Sequence, residues 1–143
     1  MDDMNDYIYT NINDGVYKCG FATNQTIYKD ELKKLFSALE LINSHLKAKK
    51  YIFGDFLTLT DIRLFVTLIR FDMVYYFHFK TSLKHIYDYD NLWRYTKKIY
   101  NHDKIINTIN FDEIKRHYYL THKQLNPSKI IPETDYILDL LNC

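Results

Sequence analysis

Apolar side chains recur along this chain at steps of three and four. Leu32, Leu35, Leu39, Ile42 and Leu46 form one stripe, and that spacing predicts a long amphipathic helix. Thr23 is placed to cap its start, and Lys47, Lys49 and Lys50 close it as cations suit a helix C-terminus. That basic run reads as a solvated helix end. Residues 1–22 read as an irregular lead-in followed by a loop, residues 23–125 as a helical core and residues 126–143 as a C-terminal tail, together one domain. A turn is predicted at Gly54-Asp55. It precedes Thr58-Leu59-Thr60-Asp61 and an apolar run from Ile62 to Phe71 that only Arg63, Thr67 and Arg70 interrupt. Thr58 and Asp61 have the spacing of a capping box. A helix apolar nearly all round is central and buried, so its polar residues need partners. Asp88 to Tyr100 is a further amphipathic segment, with Leu92, Tyr95 and Ile99 on one stripe. After a turn at His102-Asp103, Phe111, Ile114 and Tyr118 share a face of the next helix, with Asp112 and Glu113 in its first turn. Pro127 and Pro132 end regular helix and begin an extended tail, in which Ile137 to Leu141 has the makings of a last helical turn.

Composition narrows the fold to all-α. Three glycines and two prolines in 143 residues leave little room for the turns of a β-sandwich. The charge balance, 19 basic against 18 acidic residues, gives no electrostatic reason to expect nucleic acid or a membrane surface. Two cysteines make no disulfide framework, the segment Met1 to Asp6 is not a signal peptide, and no stretch is long and apolar enough to span a bilayer. A reducing, cytoplasmic setting is the expectation.

The candidate chemistry has an ordinary structural reading at each position. Cys19 is a possible nucleophile, with Lys18 beside it to lower its pKa. Against that, no histidine is near it in sequence, and free cysteine is among the most buried residue types. His117 and His122 are five apart and His78 and His85 seven apart, neither matching the steps of a helical zinc pair, so no metal site is expected. Asp72 to Lys80 is dense in aromatics, which is either the C-terminal end of a core helix or an aromatic wall of a ligand cleft. Tyr17 lies in Asn13-Asp14-Gly15-Val16-Tyr17-Lys18-Cys19-Gly20-Phe21-Ala22, and Tyr118 in His117-Tyr118-Tyr119-Leu120-Thr121-His122-Lys123. A buried phenol needs a hydrogen-bond partner. The two hydroxyls serve either as structural ties or, if the chain folds back to join them, as a site for an aromatic, oxygen-bearing ligand.

Gly54-Asp55-Phe56-Leu57-Thr58-Leu59-Thr60-Asp61-Ile62-Arg63 resembles the capping-box stretch in the helical domain of glutathione transferases. More specific are Asn13 to Ala22, Arg70-Phe71-Asp72-Met73-Val74-Tyr75 with His78-Phe79-Lys80, Asn110-Phe111-Asp112 with His117-Tyr118, and Asn126-Pro127. In that order they resemble the glutathionyl-hydroquinone reductases, a cysteine-type branch of those transferases, over essentially the whole chain. The resemblance implies a helical bundle of the glutathione transferase C-terminal type, with glutathione as co-substrate and no metal. It implies that the family's nucleophilic cysteine, in a Cys-Pro motif, and most of its glutathione contacts belong to a thioredoxin-like domain absent from these residues. This chain then carries no catalytic residue, and Cys19 is not that nucleophile's equivalent. In the family reaction the cysteine attacks the thioether sulfur of a glutathionylated hydroquinone, the hydroquinone leaves, and a second glutathione regenerates the thiol. The two family tyrosines match Tyr17 and Tyr118, which the resemblance casts as holding the quinol oxygens. Tyr118 is preferred to Tyr119 because neighbours on a helix point about 100° apart.

Two functions follow as expectations. In the first, the chain forms the hydroquinone-binding surface of a reductase, partnered by the thioredoxin-like domain and, by family analogy, by a second copy in a homodimer. In the second, it is a non-catalytic helical scaffold that offers an exposed apolar patch to a protein partner.

Overall fold

The chain's computed structural model describes residues 2–143. The stripe from Leu32 to Ile42 lies on α3 (Gln25–His45), and its leucines and isoleucine are buried. The start of α3 differs from the sequence expectation by one residue: Asn24, not Thr23, is the N-cap, its side chain accepting from the Ile27 amide at 2.9 Å.

The larger correction concerns residues 1–22. Residues 2–20 are helix, not loop: α1 (Asp2–Ile8), a π-helical turn (Tyr9–Asn13) and α2 (Asp14–Gly20) run on as one helical rod. Ile8, Ile12, Val16 and Cys19 are all buried and supply the apolar stripe. Four apolar positions dispersed among asparagines and aspartates are easily read as polar loop, and the π turn also breaks the period of 3.6. The rod packs along α3, where Gly15 sits against Leu35.

Helix α4 (Leu59–Arg70) is the central one. Thr58 and Asp61 form a capping box at its start, with the Asp61 carboxylate accepting from the Thr58 amide at 2.8 Å and from its hydroxyl at 3.1 Å. Asp61 is fully buried and also accepts from the Ile52 amide at 2.9 Å and the Tyr95 hydroxyl at 2.7 Å. One carboxylate thereby ties together a helix start, the preceding loop and α6 (Asp90–Tyr100). In that loop Gly54 takes φ of 119°, the left-handed region that glycine enters without strain.

Helix α4 does not stop at Phe71. It passes through a second π-helical turn (Phe71–Tyr75) into α5 (Tyr76–His78). Asp72 is buried there, and its carboxylate accepts from the Ile86 amide at 2.7 Å and meets His85 Nδ1 at 3.1 Å. A short 3-10 turn (Ile86–Asp88) then leads into α6, which buries Leu92, Tyr95 and Ile99. Its first turn is satisfied from outside: Asn43 Oδ1 on α3 accepts from the Asn91 and Leu92 amides at 3.1 and 3.0 Å. Helix α7 (Phe111–Thr121) is capped by Asn110, and α8 (Asp135–Leu141) returns Ile137 and Leu141 to the core. The described residues hold no strand beyond an isolated bridge between Tyr51 and Gly54. The fold is an all-α helical bundle, as the scarcity of turn formers predicted. Among the described residues no helix is long and apolar enough to cross a membrane.

Candidate functional site

Both π-helical turns lead directly to the same place. A π turn inserts one residue into the α-helical repeat and so re-aims every side chain beyond it by about 100°. The first turn is held by Asn13, whose Nδ2 donates to the Arg63 carbonyl at 2.9 Å and to the Thr67 hydroxyl, both on α4. One helical turn later stands Tyr17. The second turn ends on Tyr75, and the hydrogen bonds of Asp72 to the segment at Ile86 anchor it.

The structure brings Tyr17 and Tyr118 together, and adds a third phenol. The Tyr118 hydroxyl is 3.1 Å from that of Tyr17 and 2.8 Å from that of Tyr75. Tyr119 goes elsewhere: it is buried and donates to the Met73 carbonyl at 2.7 Å. Phe79 backs the cluster, its ring nearly parallel to that of Tyr75 at 5.2 Å and 4.9 Å from that of Tyr17. Gly20 is needed for this approach, because a Cβ there would lie 2.3 Å from the Phe79 ring.

The three phenols line a cleft of about 500 Å³ that is open to solvent, with Tyr9, Asn13 and Arg70 around them. That volume suits a small aromatic ligand. Burial, and then the hydrogen bond to Tyr118, push the Tyr17 phenol up to about 12. Tyr75 is raised further by deeper burial and by Tyr118. Both therefore keep their protons at neutral pH and are available as donors. Arg70 donates to the Val66 carbonyl at 2.7 Å and has no ion-pair partner among the described residues, while the Asp14 carboxylate, 3.7 Å from the Lys18 amine, lines the same cleft, so both signs of charge face it. A second cavity of about 310 Å³, mostly aliphatic, lies between Phe65, Ile69, Ile105 and Ile114. It has no cluster of hydroxyls, and the tyrosine cleft is the better fit to an oxygen-bearing ligand.

The other candidates resolve differently. Cys19 is buried, and burial pushes its thiol up to about 12, opposite to the lowering that Lys18 suggested. The Lys18 amine instead lies 3.7 Å from Asp14. Of the histidines, the structure pairs two that spacing had not joined: His78 Nε2 and His122 Nδ1 are 2.9 Å apart with the rings stacked. Burial first, then the neighbouring His122, lower His78 to about 4. Among the described residues no three His, Cys, Asp or Glu side chains converge to hold a metal ion. The segment Asp72 to Lys80 serves both of its readings, with Asp72 tied into the core and Tyr75 and Phe79 forming cleft wall. Tyr75 was visible in sequence as part of a motif, but its role was not, because helical spacing from α4 fails across the π turn.

A bundle whose central buried helix begins with a Thr-Asp capping box and whose helices converge phenols on an open cleft defines a class. Residues 25–98 match the family described as the glutathione S-transferase C-terminal domain, and the chain belongs to that family. Within it, the chain is 43% identical over 132 residues to the glutathionyl-hydroquinone reductase PcpF of Sphingobium chlorophenolicum, covering 92% of this chain and 42% of that protein. The glutathione-bound structure of YqjG, a glutathione transferase homolog from Escherichia coli K-12, superposes with a TM-score of 0.90 at 44% identity, over 94% of this chain and 44% of that one. The Xi glutathione transferase of Phanerochaete chrysosporium gives a TM-score of 0.90 at 43% identity, over 93% and 45% of the two chains. The chain thus spans less than half the length of these relatives.

Proposed function

We propose that this chain is the acceptor-site half of a glutathionyl-hydroquinone reductase. The observation that carries the proposal is the convergence of the Tyr17 and Tyr118 hydroxyls, 3.1 Å apart at an open cleft, from positions 101 residues apart in sequence. In this reading the hydroxyls hold the oxygens of a glutathionyl-hydroquinone. A cysteine thiolate of a thioredoxin-like domain attacks the glutathione sulfur. The reacting form is the keto tautomer, in which a ring hydroxyl proton has moved to the sulfur-bearing carbon. The carbon–sulfur bond breaks, its electron pair passes through the ring to the carbonyl oxygen, and a proton on that oxygen completes the hydroquinone. Reduced glutathione then attacks the resulting mixed disulfide, releasing glutathione disulfide and the cysteine thiol. Hydrogen bonds from fixed phenols to an oxygen that gains negative charge lower the barrier to the first step.

Tyr9 and Val66, both exposed, continue from the cleft into a groove over Arg63, and in this reading that face meets the thioredoxin-like domain. Glutathione is the co-substrate, a homodimer is the assembly, and a cytoplasmic setting supplies reduced thiol. The alternative, a scaffold docked through the same exposed face, leaves the three phenols without a role.

The test is glutathione-dependent release of hydroquinone from a glutathionyl-hydroquinone conjugate. The full-length protein from its source cells is expected to turn over, this chain alone is not, and Tyr118→Phe in the full-length protein is expected to lower kcat/KM roughly a hundred-fold. Turnover by this chain alone would overturn the reading and make Cys19 the nucleophile to examine.

A further inference from the structure

Three phenols within hydrogen-bonding distance hold three protons, and the distances decide where those protons go. Tyr75 is 3% exposed, and among the described residues Tyr118 is the one group that meets hydrogen-bond geometry with its hydroxyl. A buried donor left without an acceptor costs more than an unused lone pair. If Tyr118 donated to Tyr75, the Tyr75 proton would be left with Tyr17, whose oxygen is near it but does not meet hydrogen-bond geometry. Tyr75 therefore donates, at 2.8 Å, which is the usual length for such a bond. A phenol oxygen accepts one strong bond in the plane of its ring, because its other lone pair is conjugated. With that position on Tyr118 filled, Tyr17 has no good acceptor there, and the contact between them is a longer 3.1 Å.

We infer that Tyr75 is a positioning residue, whose donated proton turns Tyr17 and Tyr118 into a clamp of two donors selective for a carbonyl or phenolate oxygen over a neutral hydroxyl. This rests on the reading that the cleft binds quinol oxygens, and it specifies which form it binds. When a ligand oxygen enters, Tyr118 gives up the long contact and both protons point at the newcomer. The chain of hydroxyls also polarises Tyr118, making it a stronger donor. Two donors on one oxygen favour the form that is rich in electrons and donates nothing back. The second π-helical turn is what places Tyr75 behind Tyr118, and Phe79, stacked on Tyr75 at 5.2 Å, holds its ring in place. Without the Tyr75 proton, Tyr17 would donate to Tyr118, and a single donor would remain for the ligand.

The probe is 4-nitrophenol, whose two protonation states are distinguished by absorbance, titrated against this chain and its Tyr75→Phe variant. The wild type is expected to bind the phenolate in preference to the phenol, so the bound dye ionises at lower pH than the free dye. In Tyr75→Phe the dye still binds, but its preference for phenolate falls about ten-fold, a shift of about one pKa unit back toward the free dye. An unchanged preference in a variant that binds dye, whatever its melting temperature, would assign Tyr75 a structural role only and overturn the inference while leaving the proposed site intact. Failure of the wild type to bind either 4-nitrophenol or hydroquinone would remove the proposed site and the inference with it. Should Tyr75→Phe not fold, the wild-type hydroxyl protons decide the question by NMR. The proton between Tyr75 and Tyr118 must show its stronger cross-peaks to the Tyr75 ring, and stronger ones to the Tyr118 ring would refute the proton order.

Discussion

Replacing Asp61 with alanine removes the acceptor for four hydrogen bonds: the Ile52 and Thr58 amides and the Tyr95 and Thr58 hydroxyls. Water can replace the carboxylate at the half-exposed Thr58. It cannot easily reach the Ile52 amide or the Tyr95 hydroxyl, because Ile52, Asp61 and Tyr95 are each 0% exposed. An unsatisfied buried donor costs about 1–3 kcal/mol, and loss of the helix cap adds about 1 kcal/mol. With two such donors, Asp61→Ala should therefore destabilise the fold by about 3–7 kcal/mol. At roughly 3 °C per kcal/mol for a chain of this size, the melting temperature should fall by about 10–20 °C. Asp61→Asn keeps one acceptor oxygen and should lose about half as much, and Tyr95→Phe, which removes a single partner, about 1.5 kcal/mol. Urea unfolding followed by circular dichroism measures all three. The Asp61→Ala/Tyr95→Phe double variant should be less destabilised than the sum, since the two residues share a bond. A loss under 1 kcal/mol for Asp61→Ala would refute the claim that one carboxylate joins the loop, α4 and α6.

Gly20→Ala would drive a methyl into the Phe79 ring and, through it, into Tyr75; it should cost about 1–3 kcal/mol and weaken ligand binding in the cleft more than a distant substitution of equal cost, as comparison of melting and binding curves would show. Stability should fall as pH rises from 10 toward 12, because the unfolded chain releases tyrosine protons near the ordinary 10.0 while burial lets the folded chain keep those of Tyr17, Tyr87 and Tyr89 to about 12; Tyr17→Phe should remove its share and make that limb of the urea midpoint shallower. On the acid side the sign reverses: unfolded His78 takes a proton near 6.5 and folded His78 only near 4, so its contribution is lost as pH falls across that interval, and His78→Asn should reduce the fall. Of the two thiols, exposed Cys143 should react rapidly with a disulfide reagent at pH 8 and buried Cys19 only on unfolding.

The elements most legible in the sequence are those where one helical period runs unbroken. The stripe from Leu32 to Ile42 and the Thr58-Asp61 cap are local signals, and each names its own helix. The N-terminal rod is not legible in the sequence, because the π turn at Tyr9–Asn13 interrupts the period and polar residues dilute it. The caps that Asn43 supplies to α6 and Asp72 to the Ile86 segment bridge 48 and 14 residues, a separation at which local pattern carries no information. The site shows the same division. Tyr17 and Tyr118 stand out through their motifs, and in the structure Tyr118 meets Tyr17 while Tyr119 is buried and donates to the Met73 carbonyl. Tyr75 and the His78–His122 pair depend on a π turn and on a long-range fold-back, so only the structure joins them.

The most direct measurement is a titration of this chain, ring-labelled at its tyrosines, with a glutathionyl-hydroquinone, followed by NMR. The account predicts that the Tyr17, Tyr75 and Tyr118 rings shift together, saturate together, and lose the response in Tyr118→Phe. Binding that instead moves rings remote from the cleft, such as Tyr51 or Tyr100, or no binding at all, would contradict it.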